Sequence, residues 1–247
     1  MGIMKRILLF ALLFVALPFF GYSQFGNESP IPYFRYSVTA GLGVNLMYAD
    51  LEEQQVGPSV YARGSYFVAH GLSVGLELQE GLLRGTDEVV IGGGTRRSVN
   101  FYHSATLGVR FQPIKYLQDD HLRRIEYRES FGKRTLNSVY IGAGVGALYS
   151  LQWDKERALD PANQGILPEH QGRDHGFSYL FSTDLGFEIP LHSLKPNLLD
   201  SYVWNLVVNG QLNFSLDDEL DGYSGDYPGN DSNDVYGLLS VGVNLRF

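Results

Sequence analysis

The thirteen residues 235–247 alternate strictly between two faces and end on an aromatic side chain, and few folds accept such a segment. Val235, Gly237, Leu239, Val241, Val243, Leu245 and Phe247 share one face, while Tyr236, Leu238, Ser240, Gly242, Asn244 and Arg246 share the other. A period of two belongs to a strand, whose successive side chains point to opposite sides. Strands of soluble sheets run to about 5–6 residues, whereas crossing about 30 Å of hydrocarbon at a tilt takes about 9–11. The stretch predicts a strand that crosses a membrane.

Seven further segments alternate upstream. Residues 36–49 set Val38, Ala40, Leu42, Val44 and Leu46 against Ser37, Thr39, Gly41, Gly43 and Asn45. Segments beginning at 58 and 72 follow, with Tyr61, Arg63 and Ser65 on the inner face of one and Ser73, Gly75, Glu77 and Gln79 on that of the other. Residues 99–112, 139–151, 177–189 and 202–216 complete the set, carrying inner Arg110, a row of Gly142, Gly144 and Gly146, Asp184 with Glu188, and Asn205 to Asn213. Between them, 50–57 reads as a turn and Ala69-His70-Gly71 as a three-residue hairpin loop with Gly71 in the left-handed position. Residues 84–98, with Gly92-Gly93-Gly94, together with 153–175, 190–200 and 217–234, read as loops. Segment 113–137 carries charges of both signs and a rough helical spacing, consistent with an amphipathic helix or a hairpin extension.

Eight strands predict an all-β fold, an eight-stranded antiparallel transmembrane β-barrel, because only closure satisfies every backbone hydrogen bond in lipid. A soluble eight-stranded barrel would instead place its apolar residues inside. An even strand number returns both ends of the domain to one side. Outward aromatics fall into two groups: Tyr36, Tyr66, Phe111, Phe187, Tyr202, Trp204 and Phe247 at one end, Tyr48, Phe101, Tyr149, Phe177, Tyr179 and Phe214 at the other. Two such girdles mark the two membrane–water interfaces.

The N-terminus reads as a secretory signal over 1–23. Lys5 and Arg6 precede an apolar run at 7–20, and Gly21-Tyr22-Ser23 is a small-x-small cleavage site. The barrel domain is then 24–247. Removing Lys5 and Arg6 takes the formal charge from −8 to −10, which argues against a nucleic-acid partner, since that needs a basic footprint. The absence of cysteine excludes disulfides, thiolate metal sites and a lipid-modified N-terminal Cys.

With the alternation through Val241, Val243 and Leu245, the terminal Phe247 and the signal peptide, the chain resembles the small outer-membrane β-barrel proteins of Gram-negative bacteria, of the OmpA/OmpX-like or PorT-like kind. The resemblance implies the cell outer membrane as location, outer-membrane lipid and lipopolysaccharide as surroundings, and the barrel-assembly machinery reading Phe247. It implies a non-enzymatic role in structure, adhesion or interaction through the outer loops. PorT-like barrels further imply an accessory part in an envelope or type IX-like secretion assembly, with 113–137 as a periplasmic docking segment for an envelope protein partner. Residues 113–137 depart from the pattern, in which periplasmic turns are short.

Chemistry-bearing residues are sparse. Glu169 with His170 and Asp174 with His175 would serve a hydrolase at the outer rim, but no nucleophile stands at a matching spacing. His103 and Ser104, as strand neighbours, point to opposite faces. Asp217, Glu219, Asp221 and Gly222 resemble the first half of a calcium loop, yet Pro228 occupies the place of the closing Glu. No catalytic, cofactor or metal residue is assigned, and the expectation is that the chain is not an enzyme.

The inner face does make one sharp prediction. Arg63, Arg110 and Arg246 oppose Glu77, Asp184 and Glu188 in a lumen just wide enough for side chains to fill. If Val68 faces Leu72 across the hairpin, counting back sets Arg63 opposite Glu77. Arg110, Glu188 and Arg246 are expected to form a second layer, with Asp184 near the middle and the lumen plugged.

Overall fold

The computed structural model describes residues 34–48, 53–87, 96–117, 131–155, 175–191, 202–216 and 234–247. Eight strands lie among them: β1 Tyr36–Tyr48, β2 Glu53–Ala69, β3 Leu72–Asp87, β4 Arg96–Phe111, β5 Tyr140–Lys155, β6 His175–Pro190, β7 Val203–Ser215 and β8 Val235–Arg246. They pair in sequence order, each antiparallel to the next, and β8 returns to β1 from Ser37↔Arg246 to Tyr48↔Val235. The sheet therefore closes without an edge, as a backbone in hydrocarbon requires. We call the end holding Tyr36 and Phe247 proximal and the other distal.

Burial follows the pleat, but inside out. On β8, Tyr236, Leu238, Ser240, Gly242 and Asn244 are buried while Leu239, Val241 and Val243 are exposed. On β1, Leu42 is 69% exposed while Ser37, Thr39 and Asn45 are buried. The exterior is a belt of aliphatic side chains bounded by the two aromatic groups. Tyr36 packs against Tyr66 with ring centroids 5.4 Å apart and against Phe247 at 6.1 Å, a proximal girdle. Distally, Tyr48, Tyr149, Phe177 and Tyr179 are exposed, and Phe177 meets Tyr179 at 5.6 Å. In water such a surface would be far larger than the apolar patches monomers tolerate; in a bilayer it is the lipid contact.

Several sequence expectations need correction. Residues 50–57 are not a turn throughout, because β2 begins at Glu53 and pairs with β3 from Glu53↔Thr86, shifting register between Gln55 and Ser59. The loop placed at 84–98 is likewise shorter, since β3 and β4 stay paired out to Asp87↔Arg96. Polar sequence concealed both extensions: beyond the apolar belt, the ladder no longer needs outward apolar residues. The strand expected at 139–151 runs from Tyr140 on to Lys155, and His175, expected to end the loop, opens β6. At the hairpin, Ala69 rather than Val68 faces Leu72, with the register stepping between Phe67 and Ala69. Gly71 adopts φ +77°, the left-handed conformation expected there.

Both ends of the long proximal connection are helical. Helix α1, Pro113–Tyr116, follows Gln112, and helix α2, Phe131–Asn137, runs into β5. The signal segment, Gly92-Gly93-Gly94, Glu169, His170, Asp174 and the acidic residues Asp217, Glu219 and Asp221 lie outside the described residues.

Candidate functional site

The interior of the barrel holds the densest chemistry among the described residues, stacked in three tiers. Its middle tier is built on Glu77, 2% exposed on β3. The pairing Arg63↔Glu77 is as counted from the hairpin. Arg63 Nη1 donates to Glu77 Oε2 at 3.4 Å, Arg110 Nη2 donates to the same oxygen at 3.2 Å, and Gln79 Nε2 donates to Oε1 at 2.6 Å. Arg110 Nε also donates to Asp184 Oδ2 at 2.5 Å, and its guanidinium lies 4.6 Å from the Tyr140 ring centroid. Tyr140 in turn donates to Asn209 Oδ1 at 2.9 Å. Arg63 completes its contacts on Ser65 Oγ and the Gly108 carbonyl. Two cations thus share two carboxylates, which removes most of the several kcal/mol that stranding either sign in a dry interior would cost.

The sequence places Arg110 nearer the proximal end, in the tier with Arg246 and Glu188, and the structure moves it. It joins the middle tier because its side chain reaches across β5, where Gly142 faces Asp184 and presents no side chain of its own. The proximal tier is therefore built on Arg246 and Glu188, joined at 2.5 Å, with Arg246 stacked 4.6 Å over the Phe67 ring. Asn244 donates to Thr39 Oγ1 at 2.7 Å beside them. A small polar pocket bounded by Thr39, Ser73, Arg110, Gln112 and Glu188 has room for about one water molecule.

The distal tier was not foreseen. Met47, Leu83, Tyr102, Leu148, Leu180 and Tyr236 all point inward and form one buried apolar cluster, Tyr102 and Tyr236 packing with centroids 5.2 Å apart. Asn45 Nδ2 donates to the Tyr102 hydroxyl at 2.9 Å, linking this cluster to the polar wall. Inward tyrosines at period two were the available signal; elsewhere in the lumen glycines seat two more. Tyr61 lies over Gly41 and Gly242, and Tyr140 over Gly186. The glycine row on β5 serves smaller neighbours instead, Asp184, Ser182 and Thr106.

Outside, β3 and β4 carry a second unforeseen pair. Glu80 faces His103 across the ladder, with Nδ1 and Oε1 3.0 Å apart, and the Phe101 ring stands edge-on to the imidazole at 4.7 Å. Both groups are exposed on the outer surface. Of the residues considered for a hydrolase, His175 is described, exposed at the start of β6. No group of three or more His, Asp or Glu residues able to hold a metal ion occurs among the described residues.

A closed antiparallel ladder of eight strands, apolar outside and charged within, defines an outer-membrane-type transmembrane β-barrel. No protein-family model matches the chain, and no curated protein matches it. Among solved structures it is similar to Neisserial surface protein A, at 12% identity over 86% of this chain and 97% of that one, TM-score 0.46. It is similar to Ail, the attachment invasion locus protein of Yersinia pestis, in complex with the heparin analogue sucrose octasulfate, at 13% identity over 87% and 100%, TM-score 0.44. OprG from Pseudomonas aeruginosa gives 13% identity over 89% and 99%, TM-score 0.41. The barrel assignment stands on the ladder and the inverted surface, and what those proteins bind does not transfer at such identities.

Proposed function

We propose that this barrel is a non-enzymatic surface protein whose lumen is plugged and whose distal end carries its specificity, in a structural, adhesive or interaction role. The observation that supports this most directly is strand length. β2 to β6 run 16 or 17 residues, against 12 or 13 for β7, β8 and β1. At about 3.3 Å per residue and a tilt near 40°, a strand of the longer kind rises about 40 Å, whereas the apolar band of such barrels is about 25 Å tall. The proximal turn at His70-Gly71 is tight, and Leu72 pairs with Phe111 and Phe111 with Ile141, so for β2 to β5 the surplus stands at the distal end. There Gln55 Nε2 donates to Thr86 Oγ1 and the paired residue types are polar. A rigid polar sheet projecting past the lipid suits contact with macromolecules at the cell surface.

Three filled tiers support the plug: six apolar side chains distally, four charges in the middle and the Arg246–Glu188 pair proximally. Recording from the purified protein in a planar bilayer tests it. No steady current is expected, and large, stable single-channel openings would overturn the plugged reading. For the distal sheet, cells producing a chain that lacks residues 85–97 should lose attachment to host-cell or abiotic surfaces while the barrel still inserts. Unchanged attachment would remove the adhesive part of the reading.

A further inference from the structure

We propose that helices α1 and α2 form an interfacial anchor resting on the anionic lipid headgroups of the leaflet at the proximal end. Both helices are apolar on their exposed side, and no described residue covers that side. Ile114, Tyr116 and, just past α1, Leu117 are 40%, 46% and 80% exposed, Phe131 and Leu136 are 50% and 59% exposed, and neither helix contains a buried residue. Such a surface outside the hydrocarbon needs an occupant.

Two observations select lipid over protein. The first is continuity with the lipid-facing exterior. Tyr116 stands edge-on to Phe111, an outward residue of the proximal girdle, with centroids 5.1 Å apart. α2 is held to the same rim, since Ser138, next after it, accepts the Glu188 backbone N–H at 2.9 Å through its hydroxyl. Near that end of β6, Leu191 is 54% exposed. The helices thus lie level with the girdle, where the bilayer passes from hydrocarbon to headgroups. The second is charge. α2 carries Lys133 and Arg134 and no acidic residue, while the Lys115 cation of α1 acts on Glu188 instead and the whole chain carries −8. Apolar and basic residues together at this depth match an anionic phospholipid surface, the apolar side chains entering the acyl boundary and the cations meeting phosphate.

The anchor differs from a docking segment for an envelope protein, and one set of labels separates them. Because the chain has no cysteine, Leu117→Cys and Leu136→Cys each give a single site for an environment-sensitive fluorophore, with Gln55→Cys as the distal control. The full-length protein is refolded into vesicles of phosphatidylcholine with or without phosphatidylglycerol. Lipids brominated near the top of the acyl chain should quench both proximal labels several-fold more than the control, and soluble iodide should reach them less. Labels fully open to iodide and untouched by brominated lipid would overturn the proposal. So would shielding that appears only when periplasmic extract is added, which would mark a protein partner. In a Lys133→Gln, Arg134→Gln variant, the preference for spin-labelled phosphatidylglycerol over phosphatidylcholine should fall by about fivefold per residue at most, with folding checked by gel migration. An unchanged preference would remove the anionic headgroup from the proposal.

Discussion

At the scale of single residues, Glu77 decides how much the interior charge can be disturbed. Replacing it with Ala leaves Arg110 on Asp184 but leaves Arg63 with only a hydroxyl and a carbonyl. We expect Glu77→Ala to lower unfolding stability by about 3–5 kcal/mol, the range for breaking a buried pair, and Arg63→Ala with Glu77→Ala to lower it less. Urea titration in vesicles checks the order of the two. Glycines give a second contrast. A methyl on Gly142 would strike the Asp184 carboxylate, whereas one on Gly64, facing outward, would meet nothing within 4 Å. Gly142→Ala should therefore cost about 1–3 kcal/mol by overpacking, and Gly64→Ala should stay within about 0.5 kcal/mol. Equal midpoints for the two would show that the middle tier is looser than its contacts imply.

Among the described connections, the β2–β3 hairpin is the one closed by a tight turn. Gly71 stands at φ +77°, and a Cβ there would lie 2.7 Å from the Gln112 carbonyl oxygen and 2.8 Å from the Tyr116 amide nitrogen. Gly71→Ala should cost about 1–2 kcal/mol from the left-handed backbone alone. It should also loosen α1, seen as faster proteolysis at 113–117; a change in stability without that cleavage would separate hairpin from helix. The hairpin was legible because Ala-His-Gly between alternating runs has few readings. Its exact closure was not, since the step between Phe67 and Ala69 preserves Arg63↔Glu77 while changing which residue faces Leu72. Register is set by the whole ladder, and local turn chemistry only proposes it.

For the molecule as a whole, the test is which side meets lipid. Leu42, at the centre of β1 and 69% exposed, should tolerate Arg poorly in a bilayer, by about 2–4 kcal/mol near the midplane. The same change at an exposed site of a soluble barrel would be nearly silent. Folded protein should also migrate differently from boiled protein on gels, because a closed ladder resists detergent until heated. If Leu42→Arg leaves unfolding in vesicles unchanged, the belt does not face hydrocarbon.

The alternation of apolar and polar residues by itself determined the number of strands, the faces their side chains take and the two aromatic girdles, and closure in lipid added the antiparallel ring. It could do so because a period of two is local: each residue's side is set by its neighbours along the chain. Arg63 opposite Glu77 was legible for the same reason, through one short hairpin. Only the tertiary structure decided that Arg110 reaches Asp184, that Met47, Leu83, Tyr102, Leu148, Leu180 and Tyr236 meet in one cluster, and that Glu80 faces His103. Those contacts join strands whose relative shift comes from tilt and closure of the ring, and the depth at which two inward residues meet is a property of the closed ring rather than of any one strand.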